Sequence, residues 1–284
     1  MVVYLNGEFL PISEAKISVL DRGFIFGDGV YEVIPVYSRH VFRLAEHLRR
    51  LNHSLESIRL ANPHSESEWT NIINELIARN DPEDQYLYLH ITRGVAKRDH
   101  PFPNPPVLPT VFVMSNSLST PAVELLQTGI AAITAADNRW LRCDIKAISL
   151  LPNVLLRQQA IDAGCAETVM IRDNEFLTEG SASNIFVVKN GVLLAPPKDN
   201  LMLPGITYDV LLELAAANNI PVQIRKILLN EVVTADELLL TSSTKEVLAI
   251  TQLNGKPVGA GKPGEMFARI YALYQKFKRE VMRP

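Results

Sequence analysis

Apolar residues in this chain recur with two different periods, and the period changes from segment to segment. After Val41, Leu44, Leu48, Leu51, Leu55 and Ile58 follow one another at steps of four and three, which predicts an amphipathic helix. Arg50 falls at the edge of its apolar stripe, in line with His47 and Ser54. Residues 85–93, QYLYLHITR, alternate as a strand does, with Tyr86, Tyr88 and His90 on one face. The pairs Asn6-Gly7, Asn190-Gly191 and Asn254-Gly255 each stand between apolar runs and predict hairpins. The second half mixes the periods. GIAAIT is strand-like, NVLLRQQAIDAG helical, and ETVMIRDNEF and NIFVVKNGVLLA are hairpin-like. PGITYDVLLELAAANN and EMFARIYALYQKFKREVM predict two further helices. This irregular alternation predicts α+β domains rather than one doubly wound sheet.

Two polar stretches break the pattern. Gly94 to Pro109 contains Pro101, Pro103, Pro105, Pro106 and Pro109 and predicts a long loop, a kind that is often functional. The run SNSLSTP follows the strand-like TVFVM and is rich in turn formers. It sets the expected division: a smaller N-terminal α+β domain over 1–116, a linker over 117–121, and a larger C-terminal α+β domain over 122–284.

Composition narrows the function. The chain has 284 residues, 47% of them hydrophobic and 21% charged, which suits a globular enzyme with room for two domains. A net charge of −3 without a long basic run argues against nucleic acid or anionic membrane as a partner. No apolar run is long enough to span a bilayer, and MVVYLNGEFLPIS lacks the basic start and apolar core of a signal peptide. Cys143 and Cys165 are too few for a disulfide framework and have no metal-ligand spacing with His. The expectation is a cytoplasmic protein with free thiols and no metal.

The candidate chemistry starts from Lys146 in CDIKAISLL and Glu179 in TEGSASN. A lysine forms an imine with an aldehyde cofactor, and a carboxylate holds a proton on a pyridine nitrogen. Together these contacts make pyridoxal phosphate (PLP) an electron sink. The helix-like and hairpin-like stretches between the two residues are expected to bring both to the floor of one site. In LPGIT, Gly205, Ile206 and Thr207 stand at a predicted helix start, where free N–H groups and a hydroxyl suit a phosphate; an ordinary capped helix has the same sequence. TSSTKE offers a second hydroxyl-rich turn with Ser242, Ser243 and Thr244, and Arg50 offers a bidentate positive charge. In RGVAKRDHPFP, Arg98 and His100 are two apart and point the same way in an extended loop. They form a carboxylate receptor, or else a basic surface loop paired through Asp99. FGDGVYEV reads as a tight turn feeding a strand. It lacks the GxGxxG spacing and the Walker lysine, so no nucleotide loop is expected.

FGDGVYE, EHLRRL, RWLRCDIK, TEGSASN, LPGIT and TSSTKE come in an order that, over nearly the whole chain, resembles the PLP-dependent aminotransferases of fold type IV. That group contains D-amino acid aminotransferases, L-branched-chain aminotransferases and aminodeoxychorismate lyases. The resemblance is closest to the D-amino acid aminotransferases. TRGVAKRDHPFP is similar to their substrate-carboxylate loop, with Arg98 and His100 in matching places, and Tyr31 and Tyr88 also match. The resemblance implies a two-domain α+β homodimer with one pyridoxal 5′-phosphate per subunit, and Lys146, in the C-terminal domain, as the Schiff-base lysine and proton carrier. It implies Glu179 as the pyridinium partner, with Arg50, Ile206, Thr207 and Ser243 at the phosphate. Arg139 supports the cofactor's surroundings and Leu203 packs against its ring. Tyr31, Tyr88, Arg98, His100 and Thr244 are implied for the substrate, Arg98 and His100 serving the partner's cofactor. The implied reaction is a ping-pong transamination between D-amino acids, such as D-alanine and D-glutamate, and 2-oxo acids, such as 2-oxoglutarate or pyruvate. The alternatives are transamination of L-branched-chain amino acids, carbon–carbon lysis of aminodeoxychorismate, and a PLP carrier without catalysis. Two positions depart from the pattern: Ala182 stands where a close relative has Ser, and Pro204 where one has Lys.

Overall fold

A computed structural model of the chain describes residues 1–282, so the last two positions of the expected C-terminal domain lie outside the described residues. The chain forms two compact units. The first takes Met1–Ser119 and Ile145–Leu150; the second takes 120–144 and 151–282.

In the first unit, six antiparallel strands lie in the order Glu8–Pro11, Val2–Leu5, Thr110–Ser117, Gln85–Thr92, Gly29–Tyr37, His40–Val41. Alternation decides the two faces. Leu87, Leu89 and Ile91 are fully buried, while Tyr86, Tyr88 and His90 between them are half-buried on the other side. The buried face is covered by the helix Leu44–Ser57, predicted from its apolar steps, and by Glu66–Ala78. Leu48, Leu51, Leu55, Trp69, Ile73 and Leu76 fill the space between, each worth roughly 1.5–3 kcal/mol of burial. The second helix is an addition to the predicted elements. Its start carries a capping box, Ser65 with Glu68, that is legible as S-x-x-E.

The second unit is built on a nine-stranded mixed sheet. Its main path runs Val222–Ile224, Val192–Ala195, Asn184–Lys189, Glu237–Ser242, Glu246–Leu253, Ile130–Ala136, Glu167–Arg172, Phe176–Gly180, and Lys256–Pro257 pairs with Glu246–Leu253. Ile130–Ala136 is parallel to both its neighbours. Glu167–Arg172 is buried at every position, which is why its sequence does not alternate. The helices Ile206–Ala217 and Glu265–Phe277 pack against each other. All three Asn-Gly hairpins form, each with both residues at positive φ. The fold is thus the mixed α+β expected. No helix among the described residues is long and apolar enough to cross a membrane.

The division differs from the expected one in two respects. Thr110–Ser117 carries regular strand into the expected linker, and the units part between Ser119 and Thr120. Lys146, expected in the C-terminal domain, belongs to the first unit. The reason is backbone pairing along the edge of FGDGVYE. The Tyr31 N–H donates to Lys146 O at 3.0 Å, Ile148 N–H donates to Gly29 O at 3.1 Å, and Val30 bridges to Ala147. Ile145 and Ala147 then join the first unit's core.

Candidate active site

Lys146 is held at its backbone from two sides. Besides the Tyr31 bond, its own N–H donates to Ser54 Oγ at 3.1 Å, on the helix Leu44–Ser57. Its Nζ lies 4.2 Å from the centre of the Tyr31 ring. Tyr31 and His90 are cross-strand partners, and the Tyr88 ring sits 5.7 Å from that of Tyr31. Tyr88 O–H meets His90 Nδ1 at 2.8 Å, and burial pushes the Tyr88 phenol up to about 12. Lys146, Tyr31 and Tyr88 therefore form one cluster on the strand face opposite the helices.

The neighbouring strand position, Glu32, points the other way into the helical layer. It is fully buried and accepts from Arg50 Nε at 2.8 Å, from Arg50 NH2 at 2.7 Å and from His47 Nδ1 at 2.8 Å. Burial works to raise its carboxyl, but the Arg50 fork and His47 outweigh that and hold it far below the usual carboxylate range. Burial keeps His47 below its ordinary value and so neutral, with Nε2 lacking a hydrogen-bond partner. Arg50, expected at a phosphate, thus has its Nε/NH2 edge committed to Glu32. Its backbone step from His47 and on to Ser54 is the stripe edge read from the sequence.

Arg98 and His100 lie exposed in the proline-rich loop. Both turn toward Phe26: the Arg98 guanidinium is 5.6 Å from its ring centre and the His100 ring 5.5 Å. Phe26 is thus a common neighbour of both.

In the second unit, Glu179 is almost completely buried and accepts from Arg139 NH1 at 2.6 Å, from Asn184 Nδ2 at 3.2 Å and from Leu203 N–H at 3.3 Å. Burial raises its carboxyl to about 6 against the pull of Arg139. Arg139 commits its Nε and NH2 to Asp137, both at 2.9 Å, leaving NH1 for Glu179. Asp137 also accepts from Thr178 Oγ1 at 2.7 Å and lies 3.2 Å from Arg172 NH2. Glu179 is therefore a buried carboxylate with less than a full share of one arginine, and an additional cation beside it would be stabilised.

Ile206 and Thr207 open the helix Ile206–Ala217, as LPGIT predicts, with Gly205 as N-cap and no side-chain cap. The first helical bond runs from Asp209 N–H to Gly205 O, so the Ile206 and Thr207 N–H groups point out of the helix end. Thr207 is 2% exposed, and its Oγ1 is buried without a hydrogen-bond partner. A buried hydroxyl left unpaired at the positive end of a helix fits an anion such as a phosphate ester. Asn184 draws these parts together. Its Nδ2 reaches both Glu179 and Leu203 O, the latter at 3.0 Å, and it pairs with Thr241 on the strand that leads into the Ser243–Thr244 turn. A Cβ on Gly205 would come within 2.0 Å of Asn184 Oδ1, so only glycine lets the helix start this close. Ser243 and Thr244 are half-buried in a turn fastened by Lys245 N–H to Ser242 Oγ at 3.1 Å.

Sequence reasoning did not single out Glu32, Asp137 or Asn184 for a role. Asn184 closes the TEGSASN run, but nothing local marks Glu32 or Asp137. Among the described residues no group of three or more His, Cys, Asp or Glu could hold a metal ion.

Known proteins resemble this chain over most of its length. The amino-transferase class IV family matches residues 29–253. A D-alanine aminotransferase of Staphylococcus aureus is 38% identical over 275 residues, 97% of this chain and 97% of that protein. One of Bacillus licheniformis is also 38% identical, over 97% of this chain and 96% of its own length. Among solved structures, the branched-chain amino acid aminotransferase of Escherichia coli superposes with a TM-score of 0.90 at 27% identity, covering 99% of this chain and 94% of that one. A branched-chain amino acid aminotransferase of T.th. with pyridoxamine 5′-phosphate gives 0.90 at 27% identity, over 100% of this chain and 95% of that one.

Proposed function

Because this chain belongs to the class IV aminotransferases, we propose that it moves the amino group of D-amino acids, such as D-alanine and D-glutamate, to 2-oxo acids such as 2-oxoglutarate or pyruvate, with pyridoxal 5′-phosphate as its cofactor. When bound, the cofactor supplies an aldehyde for the lysine and a pyridinium ring that accepts the electron pair left at the α-carbon. Lys146 Nζ would anchor the cofactor covalently, and its amine would serve as the base that carries the α-carbon proton. Glu179 would hold the proton on the ring nitrogen, and its incomplete share of Arg139 favours such a cation. Arg139 in turn keeps Glu179 in place, and Leu203 would pack at the ring. The Ile206 and Thr207 N–H groups, Thr207 Oγ1, Ser243 and Arg50 would hold the phosphate, which would supply the partner that Thr207 Oγ1 lacks. A pyridoxamine-phosphate complex of a structural neighbour supports the same cofactor class.

Handedness follows from where the substrate carboxylate sits. With the lysine face set, exchanging the carboxylate and side-chain pockets inverts the accepted enantiomer. The observation that carries the D reading is that Arg98 and His100 both lie by Phe26, which supports a guanidinium and an imidazole acting together as a carboxylate receptor. In this reading Tyr31 and Tyr88 serve the carboxylate side and Thr244 the substrate side chain. A second reading, transamination of L-branched-chain amino acids, draws on the branched-chain identity of the solved neighbours. Single-turnover mixing of the purified holoenzyme with D-alanine, D-glutamate, L-leucine and L-valine, followed by cofactor absorbance, separates the two. The D reading requires the D-amino acids to react faster; faster conversion of L-leucine or L-valine than of every D-amino acid tried overturns it.

The reading includes a homodimer. Leu151, Val154, Leu155 and Ile161 of the helix Leu151–Asp162 are each more than half exposed, which supports burial against a second copy. Light scattering on the purified protein tests it. Free Cys143 and Cys165 accord with a cytoplasmic enzyme.

A further inference from the structure

The FGDG turn carries a carboxylate with no part in the chemistry above. Asp28 follows Gly27, whose φ of 66° ends the short helix Arg22–Phe26 in the left-handed region. Its side chain accepts from Arg22 Nε at 2.8 Å, and from Arg93 Nε and NH2 at 2.8 and 3.0 Å. Burial works to raise the Asp28 carboxyl, but the two guanidiniums outweigh it and hold the group charged.

Both arginines are buried, and both turn their remaining N–H groups on backbone carbonyls. Arg22 NH1 donates to Asp99 O at 2.6 Å and Pro101 O at 3.3 Å, and NH2 donates to His100 O at 3.3 Å. Arg93 NH2 and NH1 donate to Ile58 O at 2.7 Å and Arg59 O at 3.2 Å, where the helix Leu44–Ser57 has just ended. The Arg93 guanidinium also lies 3.7 Å from the centre of the Phe102 ring. One carboxylate thus orients two guanidiniums, and these grip three successive carbonyls and an aromatic ring of the loop. The Arg22 guanidinium packs 4.9 Å from the Phe26 ring centre, the same ring that Arg98 and His100 approach.

The grip matters because little else holds this segment. Lys97, Arg98, Asp99 and His100 are not buried, so hydrophobic burial does not hold them in one conformation. Their backbone stays in place through charge-assisted bonds to carbonyls, which are stronger and more directional than neutral ones. An Arg98–His100 receptor works only if its two side chains are presented together, and that presentation depends on the carbonyls around them.

We propose that Arg22, Arg93 and Asp28 are positioning residues that hold the 98–102 segment so that Arg98 and His100 can take the substrate's α-carboxylate. They set affinity for the amino acid rather than the rate of proton transfer. This rests on the reading of Arg98 and His100 as the carboxylate receptor. The test is Arg22→Gln, because Asp28 then keeps both bonds to Arg93 and no buried charge is left alone. The expected result is a rise of about tenfold in KM for D-alanine, as loss of a charge-assisted hydrogen bond gives, with kcat changed less than about threefold. The amides of Arg98, Asp99, His100 and Phe102 should also exchange hydrogen faster in the cofactor-free protein. Should Arg22→Gln not fold, Asp28→Asn, which keeps the shape and weakens both arginine bonds, carries the same expectation with a smaller rise. Arg98→Ala is measured in parallel. An unchanged KM in Arg98→Ala overturns the receptor reading itself. A raised KM there, with KM or loop exchange unchanged in the folded Arg22 or Asp28 variant, overturns the positioning role alone.

Discussion

Glu32 and Glu179 are both buried carboxylates, each meeting an arginine on the interior of its own unit, yet they sit in opposite electrostatic states. Glu32 receives the Nε/NH2 edge of Arg50 as a fork and a third bond from His47, and is held well below the usual range. Glu179 receives one N–H of Arg139, whose fork edge goes to Asp137, and is raised to about 6. The difference teaches that burial beside an arginine does not mark a functional carboxylate. What matters is whether the compensation is complete. Glu32 is satisfied and braces the helix Leu44–Ser57 against its strand. Glu179 is under-compensated, which would let it stabilise a nearby cation, as the proposed function requires.

The comparison is most exposed to attack at Glu179. Glu179→Gln should cut the single-turnover rate with D-alanine by on the order of 10²–10⁴-fold while the protein still binds cofactor and stays folded. An unchanged rate would falsify the role assigned to it. Glu32→Gln should act on stability instead: withdrawing one partner of a buried ion pair costs about 3–5 kcal/mol. Chemical denaturation of the cofactor-free protein measures this, and a loss below about 1 kcal/mol would mean that the Arg50 fork is not the brace described here.

Acid separates the two carboxylates by sign. Glu32 is depressed, so its stabilisation is present above its unfolded value of about 4.5 and fades as pH falls below it. His47, also depressed, adds in the same direction below about 6.5. Glu179 is raised from 4.5 to about 6, so its contribution is full below 4.5 and is lost as pH rises to about 6, a change of about 2 kcal/mol. Glu179→Gln should therefore gain about 2 kcal/mol more stability than the wild type between about pH 4.5 and 6.5 in the cofactor-free protein. Parallel pH profiles for the two proteins would remove the basis for the contrast.

The smallest expected effect is at the helix start. Thr207→Val removes a buried hydroxyl that has no partner, so the cofactor-free protein should be as stable or slightly more so. Cofactor affinity should fall about tenfold, the loss of one hydrogen bond to a charged group. Titration of cofactor into the apoprotein checks this, and equal affinity would mean that the hydroxyl faces something other than the phosphate.

Much of the fold could be read from short windows. The leucine steps from Leu44 to Ile58, the alternation in QYLYLHITR and the three Asn-Gly pairs depend only on neighbours along the chain. The helix Glu66–Ala78 was missed although Ser65 and Glu68 mark its start and Trp69, Ile73, Leu76 and Ile77 recur at helical steps. The candidate residues Lys146, Glu179, Ile206 and Thr207 were visible as motif members in a particular order. Their surroundings were not, because the partners lie far away along the chain. Arg139 is 40 residues from Glu179, and the Arg22 side chain bonds to a carbonyl 77 residues on.

By itself, the amino-acid sequence determined which segments become strands, helices and tight turns, since those depend on side-chain period and on φ preferences within a few residues. It also supplied the chemical types from which a site can be built. Only the tertiary structure decided that Lys146 joins the first unit, through backbone pairing with Gly29 and Tyr31. The tertiary structure likewise decided that Arg50 completes Glu32 while Arg139 is shared, and that Asp28 turns two arginines onto one loop. Sheet register and helix packing set those distances, and charge compensation depends on distance and burial, which no local window of sequence contains.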